Sequence, residues 1–245
     1  MVGAAIGAVL VPELTRAVRG DDRTAMTRAE SRGLELAAGL ALPATLGLIV
    51  LSEPIVRMLF EHGAFAAADT VATTRALMWL SLGLPAHVLV KALSPAFFAR
   101  DDTWTPMVAA LKGLAVAIVL AVVLGRLFGI DGIAISVALG AWSSAVGLIR
   151  RGAATFGFSV DAAAWRRLPR IAMAALTMGG LLWLMATYLP APAAATHSIA
   201  QAVVLGLLIA GGMAIYGLLL ALFGVIKWAD AVSAVRQTTA PDLRD

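Results

Sequence analysis

Residues 198–226 carry no charged side chain. A run of that length constrains the fold more than any other feature of the sequence, because a soluble domain has no place to hide it. Five further stretches have the same character, at about 33–52, 71–99, 104–127, 131–151 and 168–189. Within them, 36–52, 132–149 and 171–189 are free of charge, and 104–125 is interrupted only by Lys112. At 1.5 Å per residue, roughly 20 residues cross a hydrocarbon core of about 30 Å. Each stretch therefore predicts a tilted membrane span. Composition agrees: residues AVILMFWYC make up 60% and DEKR 14% of the chain, against about 25% charged in soluble domains. Disorder, coiled coil and a secreted disulfide scaffold are excluded. The class left is an all-α, polytopic transmembrane bundle, since only helices or closed barrels satisfy their backbone inside lipid.

The opening run, about 2–18, is apolar from Val2 to Val11 but reaches only half a span. No basic segment precedes it, so it does not read as a signal peptide. It reads as the end of a helix whose beginning is missing, and hence as part of a truncated chain. With it, the count is about seven segments, the first partial. Between Glu53 and Thr70, the residues Ile55, Val56, Met58, Leu59 and Phe60 alternate with Glu53, Arg57 and Glu61. That predicts a short interfacial helix followed by a turn at Gly63.

Basic residues set the orientation. Arg16, Arg19, Arg23, Arg28, Arg32, Lys91, Arg100, Arg150, Arg151, Arg166, Arg167, Arg170, Lys227, Arg236 and Arg244 all fall to one side. Arg57, Arg75 and Arg126 fall to the other. By the positive-inside rule the first side, with the C-terminal tail, is cytoplasmic. The same bias explains the net charge of +4 without invoking nucleic acid.

Chemistry-bearing motifs are few. Cys is absent, and His62, His87 and His197 lie far apart, so thiolate chemistry and a His-rich metal site are not expected. No cofactor is called for. Gly3 and Gly7 are at a spacing that packs helices closely. Charges inside spans are the best functional clues, because burying them is costly. Lys91 and Lys112 each either snorkel to the interface or face a polar cavity and attract an anion. His87 is a hydrogen-bonded packing residue or a proton carrier. Glu35 and Arg32, three residues apart, predict an interfacial ion pair. Pro43, Pro85 and Pro95 give kinks, or discontinuous helices along a transport route.

Four motifs carry a family resemblance. They are Gly3-x-x-x-Gly7-x-Val9-Leu10-Val11-Pro12-Glu13-Leu14; Leu40-Ala41-Leu42-Pro43-Ala44; Pro54 through Phe65 with Ala68-Asp69-Thr70; and Leu89-Val90-Lys91-Ala92-Leu93-Ser94-Pro95 through Thr105-Pro106. In order and spacing they resemble the MurJ (MviN) lipid II flippases of the multidrug/oligosaccharidyl-lipid/polysaccharide exporter superfamily, over the chain up to about residue 226. The resemblance implies fourteen helices in two six-helix lobes around a cavity, with a final pair. This chain resembles the eighth to the fourteenth. Residues 1–160 would be the C-terminal lobe, 161–226 the final helix pair lining a lipid-tail groove, and 227–245 a cytoplasmic tail.

The implied function is transport, not catalysis: moving undecaprenyl-diphosphate-linked muropeptide (lipid II) from the inner to the outer leaflet of the bacterial plasma membrane for cell-wall synthesis. The implied partners are lipid II, membrane lipids and the missing N-terminal lobe. The family's essential cavity arginines have no counterpart here, so no catalytic residue is carried over. Lys91 and Lys112 are the substrate-binding candidates. Two other readings stay open from the residues alone: a membrane-embedded lipid-linked sugar transferase, and a non-catalytic scaffold. The transferase would need carboxylates that converge. The candidates Asp69, Asp101, Asp102 and Asp131 divide between the two sides.

Overall fold

The computed structural model describes residues 23–61, 65–157, 161–188 and 199–224. Among them every regular element is an α-helix: α1 (Arg23–Val50), α2 (Ser52–Phe60), α3 (Ala67–Ser81), α4 (Leu84–Phe98), α5 (Trp104–Phe128), α6 (Ile130–Phe156), α7 (Ala162–Tyr188) and α8 (Ile199–Leu222). Six spans are long and apolar enough to cross a membrane, with α3 and α4 together forming one, Ala67–Phe98. These are the second to seventh expected stretches. The opening run 2–18, the turn at Gly63, and the residues His62 and His197 lie outside the described residues.

Three boundaries differ from the sequence reading. α1 starts at Arg23, well before residue 33, and takes in Arg28, Glu30, Arg32 and Glu35. α6 runs past Arg150 and Arg151 to Phe156, and α7 starts at Ala162. Hydropathy reads charged turns as loop. Here two of those charges have partners across the bundle, so the helices continue through them.

The long span breaks at Leu82–Gly83, two residues before Pro85, where a kink or a discontinuous helix was expected. Gly83 is required there: a Cβ would lie 2.9 Å from Ala138 Cα on α6. Pro85 sits in the first turn of α4, where its missing N–H costs nothing. The carbonyl of Leu82, released by the break, accepts a hydrogen bond from Trp142 Nε1 at 3.0 Å.

α5 and α6 form a close antiparallel hairpin. Gly113 has no room for a side chain, since a Cβ would collide with the Ser144 hydroxyl and lie 2.6 Å from the Gly140 carbonyl. Ser144 Oγ uses the approach, lying 3.1 Å from the Ala109 carbonyl of the facing helix. Small residues, not hydrophobic bulk, hold helices together in lipid. α6 is the most buried span and α5 the least.

α4 lies between α1 and α6. Ala92 and Ala96 meet Ala29 and Ala37 of α1. Leu93 and Phe97 meet Leu34 and Leu148, and Ala86 meets Ala141 and Ala145. The other flank of α1 carries α7 and α8, with Ile171, Ala174 and Leu220 against Ala38 and Leu42. Tyr216 donates to the Gly39 carbonyl at 2.8 Å. α2 is the expected short helix. Arg57 bridges Glu53 (2.9 Å) and Glu61 (3.4 Å), Val56 is buried, and Met58, Leu59 and Phe60 are exposed.

Candidate functional site

Because α4 is packed on two sides, one strip of it stays free. His87, Lys91 and Phe98 are exposed, and Ser94 between them is half-buried. Their spacing, four then seven residues, is that of a single helix face. Ser94 Oγ donates to its own helix, to the Val90 carbonyl at 2.7 Å. The side chains of Lys91 and His87 make no hydrogen bond or ion pair to a described residue; the His87 backbone N–H donates to the Gly83 carbonyl at 3.1 Å. Lys112 is likewise exposed, on α5 one position before Gly113. The two lysines stand on helices that barely touch. Each is about 10–12 Å along its helix from the basic end of the bundle. They sit at similar depth and are not brought into one cluster.

At that basic end an ion-pair network ties the helix ends together. Arg100 Nη2 lies 3.2 Å from Glu30 Oε1 and 3.4 Å from Met26 Sδ. Its Nη1 donates to the Ala96 carbonyl. The guanidinium stacks 3.8 Å above the Phe156 ring, which meets Phe97 edge-on at 5.1 Å. The side chain of Glu30 is 4% exposed and that of Arg100 19%.

Glu35 does not pair with Arg32 as expected; it pairs with Arg167 of α7 at 3.3 Å. An i,i+3 partner on the same helix gains little, whereas Arg167 also joins two helices. Ser31 Oγ accepts from the Asp161 N–H at 2.9 Å, and Arg170 caps the end of α8 through the Phe223 carbonyl at 3.3 Å.

Carboxylates elsewhere have structural uses. Asp69 Oδ2 accepts from the Ala66 N–H at the start of α3 (2.9 Å). Asp131 pairs with Arg75 at 3.0 Å. Asp102 accepts from the Thr105 N–H at 2.9 Å; hydrogen bonds from the Thr105 side chain and then its backbone hold the Asp102 carboxyl below the usual range. No converging carboxylate pair of the kind a sugar transferase needs is seen among the described residues.

On the opposite side of α4 lies an apolar cavity of 560 Å³. Leu42 and Leu46 of α1, Trp79 of α3, Trp142 of α6, and Ala175 and Leu176 of α7 wall it. Thr45 also lines it, with its hydroxyl oxygen buried and unpartnered. An elongated hydrocarbon fits such a surface, and an ion does not.

The sequence reading missed Glu30, Arg100 and Phe156. A signal existed: Glu30, Leu34, Ala37, Ala41 and Thr45 recur at helical spacing, which puts a carboxylate on the buried stripe of α1.

Comparison with known proteins decides the family. The model of the lipid II flippase MurJ family matches residues 1–205. The chain belongs to the MurJ family. A relative from Rhizobium meliloti, named a "Probable lipid II flippase MurJ", is 39% identical over 217 residues, covering 88% of this chain and 41% of that protein. A relative of the same name from Vibrio cholerae is 31% identical over 231 residues, covering 92% of this chain and 43% of its own. A solved structure, "Lipid II flippase MurJ, inward closed conformation", superposes with a TM-score of 0.72 at 21% identity, over 95% of this chain and 44% of that one. It matches the transmembrane helical fold. MurJ proteins are multi-pass membrane proteins, and this chain spans about two fifths of the length of the relatives it matches.

Proposed function

We propose that this chain forms the C-terminal lobe (to about residue 160) and final helix pair (161–226) of a lipid II flippase. The flippase is a transporter that moves undecaprenyl-diphosphate-linked muropeptide from the inner to the outer leaflet of the bacterial plasma membrane. Membership of the MurJ family carries the reading. A diphosphate cannot enter hydrocarbon unaided, because stripping water from its charges costs far more than any lipid contact returns. A cationic, hydrated path between two lobes removes that barrier, and rocking of the lobes opens it to each side in turn.

In this reading Lys91 and Lys112 approach the head group, and the apolar cavity between α1, α3, α6 and α7 takes up polyprenyl chain. Sequence corresponding to the remaining three fifths of the relatives supplies the second wall and its arginines. Growth tests this. In cells depleted of their own flippase, the 245 residues alone should fail to restore growth. Joined to the N-terminal part of a close relative, they should restore it. Rescue by the 245 residues alone would refute the need for a second lobe, and failure of the joined protein at normal expression would refute the function.

The basic bias supports a cytoplasmic C-terminus. A reporter active only in the periplasm should be active when fused after Ala193 and silent after Arg236. The reverse pattern would invert the orientation, and with it the direction assigned to transport.

A further inference from the structure

We infer that His87 is a second contact for the diphosphate, one helical turn deeper than Lys91, so that α4 offers the head group two donors in line. The inference rests on the head-group contact proposed above. Its starting point is depth. His87 is eleven residues from Phe98, the end of the span Ala67–Phe98, or about 16 Å at 1.5 Å per residue. That is close to the middle of a bilayer.

Lys91 could reach water by extending its long stem. An imidazole cannot, so His87 needs a polar neighbour at its own depth. The described residues do not provide one. His87 is exposed on the free strip of α4, and its ring makes no hydrogen bond or ion pair to a described residue. Left against hydrocarbon, its ring nitrogens would forfeit their hydrogen bonds at a cost of a few kcal/mol.

Its nearest polar companion on that face is Lys91. Residues four apart on a helix stand roughly 5–6 Å apart at Cβ, a spacing that a diphosphate can bridge with oxygens of its two phosphates. The roles differ: the Lys91 ammonium supplies charge. The His87 ring supplies an N–H donor in either protonation state. Two donors in line favour a diphosphate over a monophosphate, which reaches only one. They also give the head group a next contact as it leaves the basic end.

The test uses the full chain in phosphatidylcholine nanodiscs, with farnesyl diphosphate and farnesyl monophosphate as probes. The wild type should bind the diphosphate about tenfold more tightly than the monophosphate, the worth of one hydrogen bond to a charged group. His87→Leu, which has no donor, should lower diphosphate affinity to that of the monophosphate. Lys91→Gln should weaken both. His87→Phe serves as a second variant, and each variant is first checked for wild-type helicity and monodispersity.

An unchanged diphosphate preference in both His87 variants would overturn the inference while leaving Lys91 in place. Unchanged binding in Lys91→Gln as well, or no binding by folded wild type, would overturn the head-group contact itself. In parallel nanodiscs containing phosphatidylglycerol, displacement of the diphosphate by that lipid would assign the strip to membrane lipid and also overturn the inference.

Discussion

Arg100→Ala should destabilise the bundle by about 3–5 kcal/mol, the cost of leaving one member of a buried ion pair alone. Glu30 is 4% exposed, and without Arg100 its carboxylate has no partner among the described residues. The substitution also removes the stacking of the guanidinium on Phe156, 3.8 Å away, and a hydrogen bond to the Ala96 carbonyl. Glu30→Ala should cost less, because Arg100 at 19% exposure can turn toward water. Arg100→Lys should recover only part, since an ammonium neither stacks flat nor forks between Glu30 and Ala96. Replacing both partners by Met should recover most of the loss. Unfolding of the purified chain in mixed detergent measures all four. A change under about 1 kcal/mol for Arg100→Ala would show that the pair is solvated and does not hold α1, α4 and α6 together.

Lys91→Gln, in the chain joined to a relative's N-terminal part, should cut lipid II translocation at least about tenfold at wild-type protein levels. Lys91 is exposed on α4 and packs into none of the core clusters, so its replacement should leave stability unchanged. Lys91→Arg keeps the charge and should restore translocation, which separates loss of charge from loss of the residue. Normal translocation by Lys91→Gln would assign the lysine to snorkelling and remove it from the substrate path.

The spans could be read from the sequence because each is a long uncharged run, and lipid admits no other use for one. The proposed orientation rests on Lys and Arg collecting on one side. The start of α1 was hidden for the opposite reason. Its first turns carry Arg28, Glu30, Arg32 and Glu35, and hydropathy registers those charges without registering Arg100 and Arg167, which neutralise two of them. Both partners are distant in sequence, so local periodicity could place Glu30 on the buried stripe but could not name what met it. Glu35 was assigned the nearest cation, Arg32; the fold supplied a more distant one on α7.

The candidate site divides in the same way. Lys91 and Lys112 stand out as charges within apolar stretches, and each is visible residue by residue. Which face of α4 stays free depends on Ala92, Ala96 and Ala86 being covered by α1 and α6, a matter of tertiary packing. The cavity near Trp79 and Trp142 draws its wall from five helices, so no local pattern announces it. The break at Gly83 lay two residues before the proline that suggested it, because the constraint is the approach of Ala138, not the ring of Pro85.

The most direct test of a flippase lobe is the leaflet in which lipid II is found. In cells depleted of their own flippase, a membrane-impermeant enzyme that cleaves lipid II is added from outside. With this chain joined to the N-terminal part of a relative, most lipid II should become cleavable. With the 245 residues alone at equal abundance, it should stay protected. Protection in both cases, with the joined protein folded and in the membrane, would contradict the account.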